Sequence, residues 1–410
     1  MTLLALFIAL VFLYSLVSGW LERTIATAPI VFTTAGMLAF LCLPELLGGH
    51  SRELWLGVAE AGLVLLLFTD ASRTDLQVLK NIRNLPVRLL SVGMLLTLLL
   101  GGLASLVVFR QLSLWEAGIL AAILAPTDAG LGQIIVNSPR VPMKIRQALN
   151  VEAGLNDGLS VPFLLFFIAL AGAGAGGSRA SLTHFIVEQL GYGALVGAGI
   201  GLLGGWLLGV AHQRKWTTDS WQQLGVVALP LLCLAASEAV GASMFIAAFV
   251  AGLAVQVGFK EAAAHSVEFT EEWGQLLNLS IFFLFGFLAA RNWAELRFAH
   301  LLYAILSLTV VRMAPVALAL IGTGLSRGTV LFMGWFGPRG LASIVLGLVY
   351  LEQETHQPGE QTIRFAVMTT VLLSIFAHGL SAMAGMELYA RNITTLPPTA
   401  PEHEGATTGH

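Results

Sequence analysis

Three carboxylates lie within thirty residues of one another in otherwise apolar surroundings. Asp128 follows Pro126-Thr127, and Glu152 and Asp157 lie in Leu149-Asn150-Val151-Glu152-Ala153-Gly154-Leu155-Asn156-Asp157-Gly158. Two arginines sit in comparable settings, Arg312 in Val310-Val311-Arg312-Met313-Ala314-Pro315 and Arg339 in Gly334-Trp335-Phe336-Gly337-Pro338-Arg339-Gly340. An ionisable side chain at the centre of a bilayer costs at least ~2.5–3.5 kcal/mol, so such groups face a partner or water and mark function. On a helix, Glu152 and Asn156 share a face, whereas Asp157 points about 140° away from Glu152. The two acids therefore meet different neighbours.

Asp157, with the Asn156 amide and the oxygens around Thr127 and Asp128, forms an oxygen-only donor set that suits a hard cation rather than zinc or copper. Burial raises a carboxylate's proton affinity and a nearby cation lowers it. One aspartate can then hold either H⁺ or a monovalent cation, and exchanging them while the site changes sides is antiport. Asp157 is the group expected to do so. Glu152 and Arg339 are expected to pair structurally, because a lone charge at depth is costly to leave uncompensated. Arg312 competes for that role. Asp70, in Leu67-Phe68-Thr69-Asp70, reads either as a helix-end charge or as a further site residue.

Placing these groups at depth requires spans, and the composition supplies them. The chain has 410 residues, 56% hydrophobic and 11% charged, with a mean hydropathy of +0.81. A soluble domain carries about 25% charge. The chain reads as an all-α integral membrane protein, since its apolar runs are too long and continuous for barrel strands. About thirteen spans are expected, near 3–19, 29–48, 54–69, 86–108, 114–136, 145–170, 183–210, 219–238, 240–258, 272–290, 298–321, 327–350 and 362–389. The fifth and twelfth contain helix breakers, Pro126 and Gly337-Pro338, which free backbone groups that lipid cannot satisfy. These spans are seven apart, so two inverted six-helix repeats are expected, about 3–170 and 219–389, joined by a linker helix at 183–210. Paired broken helices at matching positions of inverted repeats point to a transporter's binding site.

Loop charges set an orientation. With the N-terminus outside, the inner side collects thirteen Lys and Arg against six, most of them at 73–88 and 140–146, which favours N-out, C-in. The start Met1-Thr2-Leu3-Leu4 offers no basic region for a cleavable signal peptide. The segment 391–410 reads as a short disordered cytoplasmic tail after a membrane domain covering 1–390. Gly172-Ala173-Gly174-Ala175-Gly176-Gly177 fits G-x-G-x-x-G but lacks the strand and acidic partner of a dinucleotide site, and reads as a loop. Glycines 193, 197, 201, 205 and 209 line one face of the seventh span and predict close helix packing, within the chain or against a second protomer. A net charge of −3 gives no reason to expect a nucleic-acid partner, and Cys42 and Cys233 sit in separate apolar runs with no disulfide or zinc pattern.

Taken together, Pro126-Thr127-Asp128, Glu152-x-x-x-Asn156-Asp157-Gly158 and Gly334-Trp335-Phe336-Gly337-Pro338-Arg339-Gly340 resemble the monovalent cation/proton antiporters of the NhaP and sodium/hydrogen exchanger type. Ser243-Met244-Phe245-Ile246-Ala247-Ala248-Phe249-Val250-Ala251-Gly252 resembles that family's ninth span. The resemblance, over about 5–390, implies a homodimer in the bacterial inner membrane with a mobile six-helix core, working by elevator-type alternating access. It implies a Na⁺, K⁺ or Li⁺ site built on Asp157, Asp128 and Thr127, electroneutral exchange from the Asn156-Asp157 pair, a structural Glu152–Arg339 pair, no cofactor and no enzymatic activity. One departure is Ala153, where members often carry a serine that ligates the ion; Ser160, or water, is the candidate replacement. Two rivals remain on these residues, a passive cation channel or sensor and a sodium-coupled solute symporter.

Overall fold

The computed structural model of the protein describes residues 2–21, 24–43, 52–73, 84–174, 187–259, 266–352, 358–397 and 399–403. Among them the regular elements are helical, with no strand. In chain order they are α1 (Thr2–Leu21), α2 (Ala28–Cys42), α3 (Arg52–Arg73), α4 (Asn84–Arg88), which runs through a π-helical turn at Leu89–Gly93 into α5 (Met94–Val108), α6 (Leu114–Ile123), α7 (Ala129–Val136) and α8 (Met143–Gly174). A π-helical turn at Val187–Tyr192 leads into α9 (Gly193–Gln213), followed by α10 (Asp219–Val240), α11 (Met244–Gly258) and α12 (Ser266–Arg291). Then come α13 (Phe298–Leu308), α14 (Val310–Ala319), α15 (Arg327–Trp335), α16 (Leu341–Glu352) and α17 (Glu360–Thr394). Among the described residues, eight stretches are long and apolar enough to cross a membrane, and four shorter apolar helices accompany them. The chain is a multi-pass membrane protein.

The two expected breaks fall where the prolines stand. The fifth apolar run is α6 and α7 separated by Leu124–Asp128, and the twelfth is α15 and α16 separated by Phe336–Gly340. A residue preceding proline is pushed out of the α region, and proline itself donates no amide. A third interruption, at Thr309 between α13 and α14, carried no glycine or proline signal at that position.

The helices pack most densely within two sets. One comprises α2 and α3 with α9–α12, joined by α1 through Phe7 against Phe32 and Phe283, and the other α4–α8 with α13–α17. Glycines of α9 explain its tight seam with α11: a Cβ at Gly197, Gly201 or Gly205 would run into the backbone of Ala247, Ala251 or Val255. The glycine stripe thus serves a contact within the chain, gaining the close van der Waals approach that drives helix association in lipid.

The C-terminal segment departs from the expected disorder. α17 continues to Thr394, and Pro401–His403 forms a 3-10 turn in which Glu402 is buried. The Glu402 carboxylate accepts bonds from the Ser326 amide and the Thr329 hydroxyl, both at 2.7 Å, and so covers the start of α15. A polar, proline-containing segment gave no sign of this buried carboxylate. Arg23, Lys80, Arg83, Arg179 and Lys260, among the loop cations that set the orientation, lie outside the described residues, as do 175–177 and 404–410.

Candidate functional site

The two broken elements cross and satisfy each other's backbone. The Asp128 amide donates to the Pro338 carbonyl at 2.8 Å. The Asp128 carboxylate accepts from the Leu131 amide at 2.9 Å with one oxygen and from the Leu341 amide at 2.5 Å with the other. One side chain therefore caps both α7 and α16, meeting the positive ends of two half-helices and one orphan amide of each with a single anion. Arg339, fully buried, sends Nη1 the other way, to the carbonyls of Ala125 at 2.6 Å and Pro126 at 2.8 Å. Its amide donates to Ser374 Oγ at 2.7 Å, and His378 Nε2 lies 2.9 Å from the Trp335 carbonyl, so α17 engages two backbone groups at the second break.

Two glycines allow the approach. A Cβ at Gly340 would strike the Asp128 carboxylate, and one at Gly337 would strike the Arg312 guanidinium. The Gly-Pro-Arg-Gly run is thus a channel of missing side chains through which two charged groups reach.

Glu152 corrects the expected pairing. Its carboxylate meets Arg312, at 2.5 Å from Nη1 and 2.9 Å from Nη2, both residues buried. It does not bridge to Arg339, whose Nη1 instead donates to the carbonyls of the first break. Fork-to-fork geometry of this kind is the strongest form of carboxylate pairing. Asn156, one turn on from Glu152, donates from Nδ2 to Thr127 Oγ1 at 2.7 Å, while its Oδ1 is buried without a hydrogen-bond partner. Glu152 and Asn156 therefore face the breaks, as their helical spacing demands.

Asp157 faces elsewhere. It is buried, and its Oδ1 has no hydrogen-bond partner. Its electrostatic neighbours are Asp70, Asp128 and Arg339. Together with Asp70, Asp128, Asn150 and Asn278 it lines a cavity of about 310 Å³ between the two helix sets. Asp70 therefore belongs to the wall of this cavity, and it packs close to Gly154. Ser160 is fully buried and donates its hydroxyl to the Asp157 carbonyl at 2.7 Å, which ties it to its own helix. Beside Ala153, a second cavity of about 20 Å³ touches Thr127, Asp128 and Glu152, on the order of one water molecule. No group of three His, Cys, Asp or Glu arranged to hold a metal occurs among the described residues.

Of the residues the sequence singles out, Thr127, Asp128, Asn156, Glu152 and Arg339 meet at the two breaks, Asp157 and Asp70 line the adjoining cavity, and Ser160 is bonded to its own helix. Sequence reasoning had not found Ser374 and His378, whose signal, a polar pair four apart on an apolar helix, is visible in Ser374-Ile375-Phe376-Ala377-His378.

This arrangement can be set beside known proteins. The closely folded "sodium proton antiporter MjNhaP1" of Methanocaldococcus jannaschii superposes with a TM-score of 0.72 over 92% of this chain and 99% of that one, at 21% identity. A "Na(+)/H(+) antiporter" of Schizosaccharomyces pombe is 27% identical over 73% of this chain and 70% of its own length. A "K(+)/H(+) antiporter NhaP" of Alkalimonas amylolytica is 26% identical over 84% of this chain and 59% of its own. The chain spans less than two thirds of several curated relatives, among them a second S. pombe protein matched over 40% of its length. The family model described as "Sodium/hydrogen exchanger, transmembrane" matches residues 3–384. A family-model match across residues 3–384, nearly all of the chain, makes this protein a member of the sodium/hydrogen exchanger family.

Proposed function

We propose that the protein exchanges a monovalent cation, Na⁺ or K⁺ (Li⁺ being a further candidate), for H⁺, with Asp157 as the group for which the two compete. The observation that carries this is a difference in occupancy among the buried acids. Asp128 spends both carboxylate oxygens on helix amides, and Glu152 spends both on Arg312. Asp157 keeps an oxygen without a partner, on the wall of a cavity. A group that must bind and release either of two cations needs such an oxygen. Relatives whose names specify Na⁺/H⁺ and K⁺/H⁺ antiport support the reaction class.

Thr127 and Asn156 complete the site, with Asp128 holding the crossing and Asp70 facing Asp157 across the cavity. One carboxylate that exchanges one cation for one proton makes the cycle electroneutral. A cavity bounded by two separately packed helix sets supports an elevator-type cycle, in which α4–α8 with α13–α17 moves against the other set. The full architecture we infer has thirteen spans, two inverted repeats about 3–170 and 219–389, N-out and C-in topology, and a homodimer in a bacterial inner membrane.

In proteoliposomes carrying a pH-sensitive dye, Asp157→Asn should abolish cation-dependent proton movement. Exchange at the wild-type rate would remove Asp157 from the role, and cation flux without proton return would identify a channel instead.

A further inference from the structure

Thr69, on α3, is buried with a hydroxyl that has no hydrogen-bond partner. Three buried threonines in the apolar helices bond back to their own helix. Thr97 donates to the Gly93 carbonyl at 2.9 Å, Thr369 to Phe365 at 2.7 Å and Thr370 to Ala366 at 2.7 Å. That is how a hydroxyl is normally satisfied inside a helix. Thr69 has the same opportunity on α3 and does not take it. Its side chain is 3% exposed, and its Oγ1 has no hydrogen-bond partner.

Thr69 is among the residues that line the cavity, with Asp70 and Asp157. Its carbonyl is already used by the Ser72 hydroxyl, at 2.8 Å. Thr27 and Thr33 share the unpaired hydroxyl, but neither lines this cavity. Thr33 packs at the α2–α12 seam, where its backbone faces Gly286. Among the described threonines, Thr69 alone combines an unpartnered buried hydroxyl with a place on this cavity, beside Asp70 and Asp157 and with the unpartnered Asn278 Oδ1 on the same wall.

We infer that the Thr69 hydroxyl is an oxygen ligand of the transported cation, contributed by α3 from the helix set opposite Asp157. A hydroxyl has two lone pairs and no charge. It can replace one water of a cation's shell without adding to the negative charge of Asp70, Asp128 and Asp157. A hard monovalent cation takes such neutral oxygens readily, and how far the cation is stripped of water depends on how many the site offers. Because α3 lies across the cavity from α8, this ligand would be available only while the two sets are in the present arrangement. It would then help set both affinity and the choice among Na⁺, K⁺ and Li⁺. The inference rests on the antiport reading for its transport consequence, but not for its binding consequence.

The test uses the full chain, with Thr69→Val and Thr69→Ala removing the hydroxyl and Thr69→Ser keeping it. In proteoliposomes titrated with each of the three cations, Thr69→Val should raise the half-saturating concentration of the transported ion about tenfold, with the maximal rate little changed. Thr69→Ser should behave as wild type. In detergent, the rise in melting temperature produced by the cation should shrink in Thr69→Val and Thr69→Ala and persist in Thr69→Ser. The inference is overturned if the hydroxyl-free variants keep wild-type half-saturation for every cation, or if Thr69→Ser is impaired as they are. A wild-type protein that is stabilised by cation yet moves no protons would defeat the antiport reading alone.

Discussion

Three buried carboxylates within one site divide by what their oxygens touch. Asp128 is spent on amides, Glu152 on a guanidinium, and Asp157 keeps an oxygen that no protein group engages. Chemistry at this scale predicts opposite phenotypes for similar substitutions. Glu152→Gln leaves Arg312 as a buried uncompensated charge, and losing one partner of a buried pair costs ~3–5 kcal/mol. Its melting temperature in detergent should fall sharply, and Arg312→Gln should fall by a comparable amount. A double-mutant cycle decides the partner. Glu152 and Arg312 should couple by more than about 1 kcal/mol, while Glu152 and Arg339 should be close to additive. Coupling to Arg339 of equal size would restore the pairing suggested by the sequence. That Glu152 must pair was legible from its cost at depth. Which arginine it meets was not, because Arg312 and Arg339 lie on different elements and both carry a charge that needs company. The choice is made by Gly337, which leaves the space the Arg312 guanidinium fills.

At the scale of elements, the site exists because two helices stop in mid-membrane and each repairs the other. Prolines 126 and 338 announced both stops, since a missing amide and a ring clash act locally and are written in the sequence. The interruption at Thr309, made with no proline at that residue, was hidden for the same reason. The repair depends on distances no local rule contains, such as Asp128 reaching the first turn of α16 across Gly340. Gly340→Ala would place a methyl group against that carboxylate. We expect it to destabilise the protein by ~1–3 kcal/mol, as forced overpacking does, and to abolish cation-dependent proton movement with Asp157 intact. Gly132→Ala, in α7 on the other side of the same cap, meets nothing within 4 Å and serves as the control. It should leave the melting temperature unchanged or slightly raised, because alanine favours a helix by up to about 1 kcal/mol over glycine. If both variants behave alike, the crossing is not held by this contact.

For the molecule as a whole, hydropathy was enough to identify a membrane protein and the approximate helices, while the sorting of those helices into two packed sets could be seen only in three dimensions. The same holds for the end of the chain, where Glu402 returns from beyond α17 to cover the start of α15. Lys144 at the start of α8 adds a bond to the Pro401 carbonyl at 3.3 Å, so one short segment joins three elements of the set that carries the crossed helices. Glu402 lies outside the spans, and its titration can be read directly. Burial pushes its carboxyl upward, but bonds from the Ser326 amide and the Thr329 hydroxyl outweigh this and hold it below the usual glutamate range. A carboxylate with a depressed folded-state affinity for protons stabilises the fold above its unfolded value. That contribution is lost as pH falls through the folded one. Wild type should therefore melt higher than Glu402→Gln at neutral pH, and the gap should close as pH drops below about 4. Because Ser326 and Thr329 open α15, the loss should appear first as faster amide hydrogen exchange at Ser326–Val330. A gap that stayed constant from neutral to acid pH would mean that Glu402 acts by shape and not by charge.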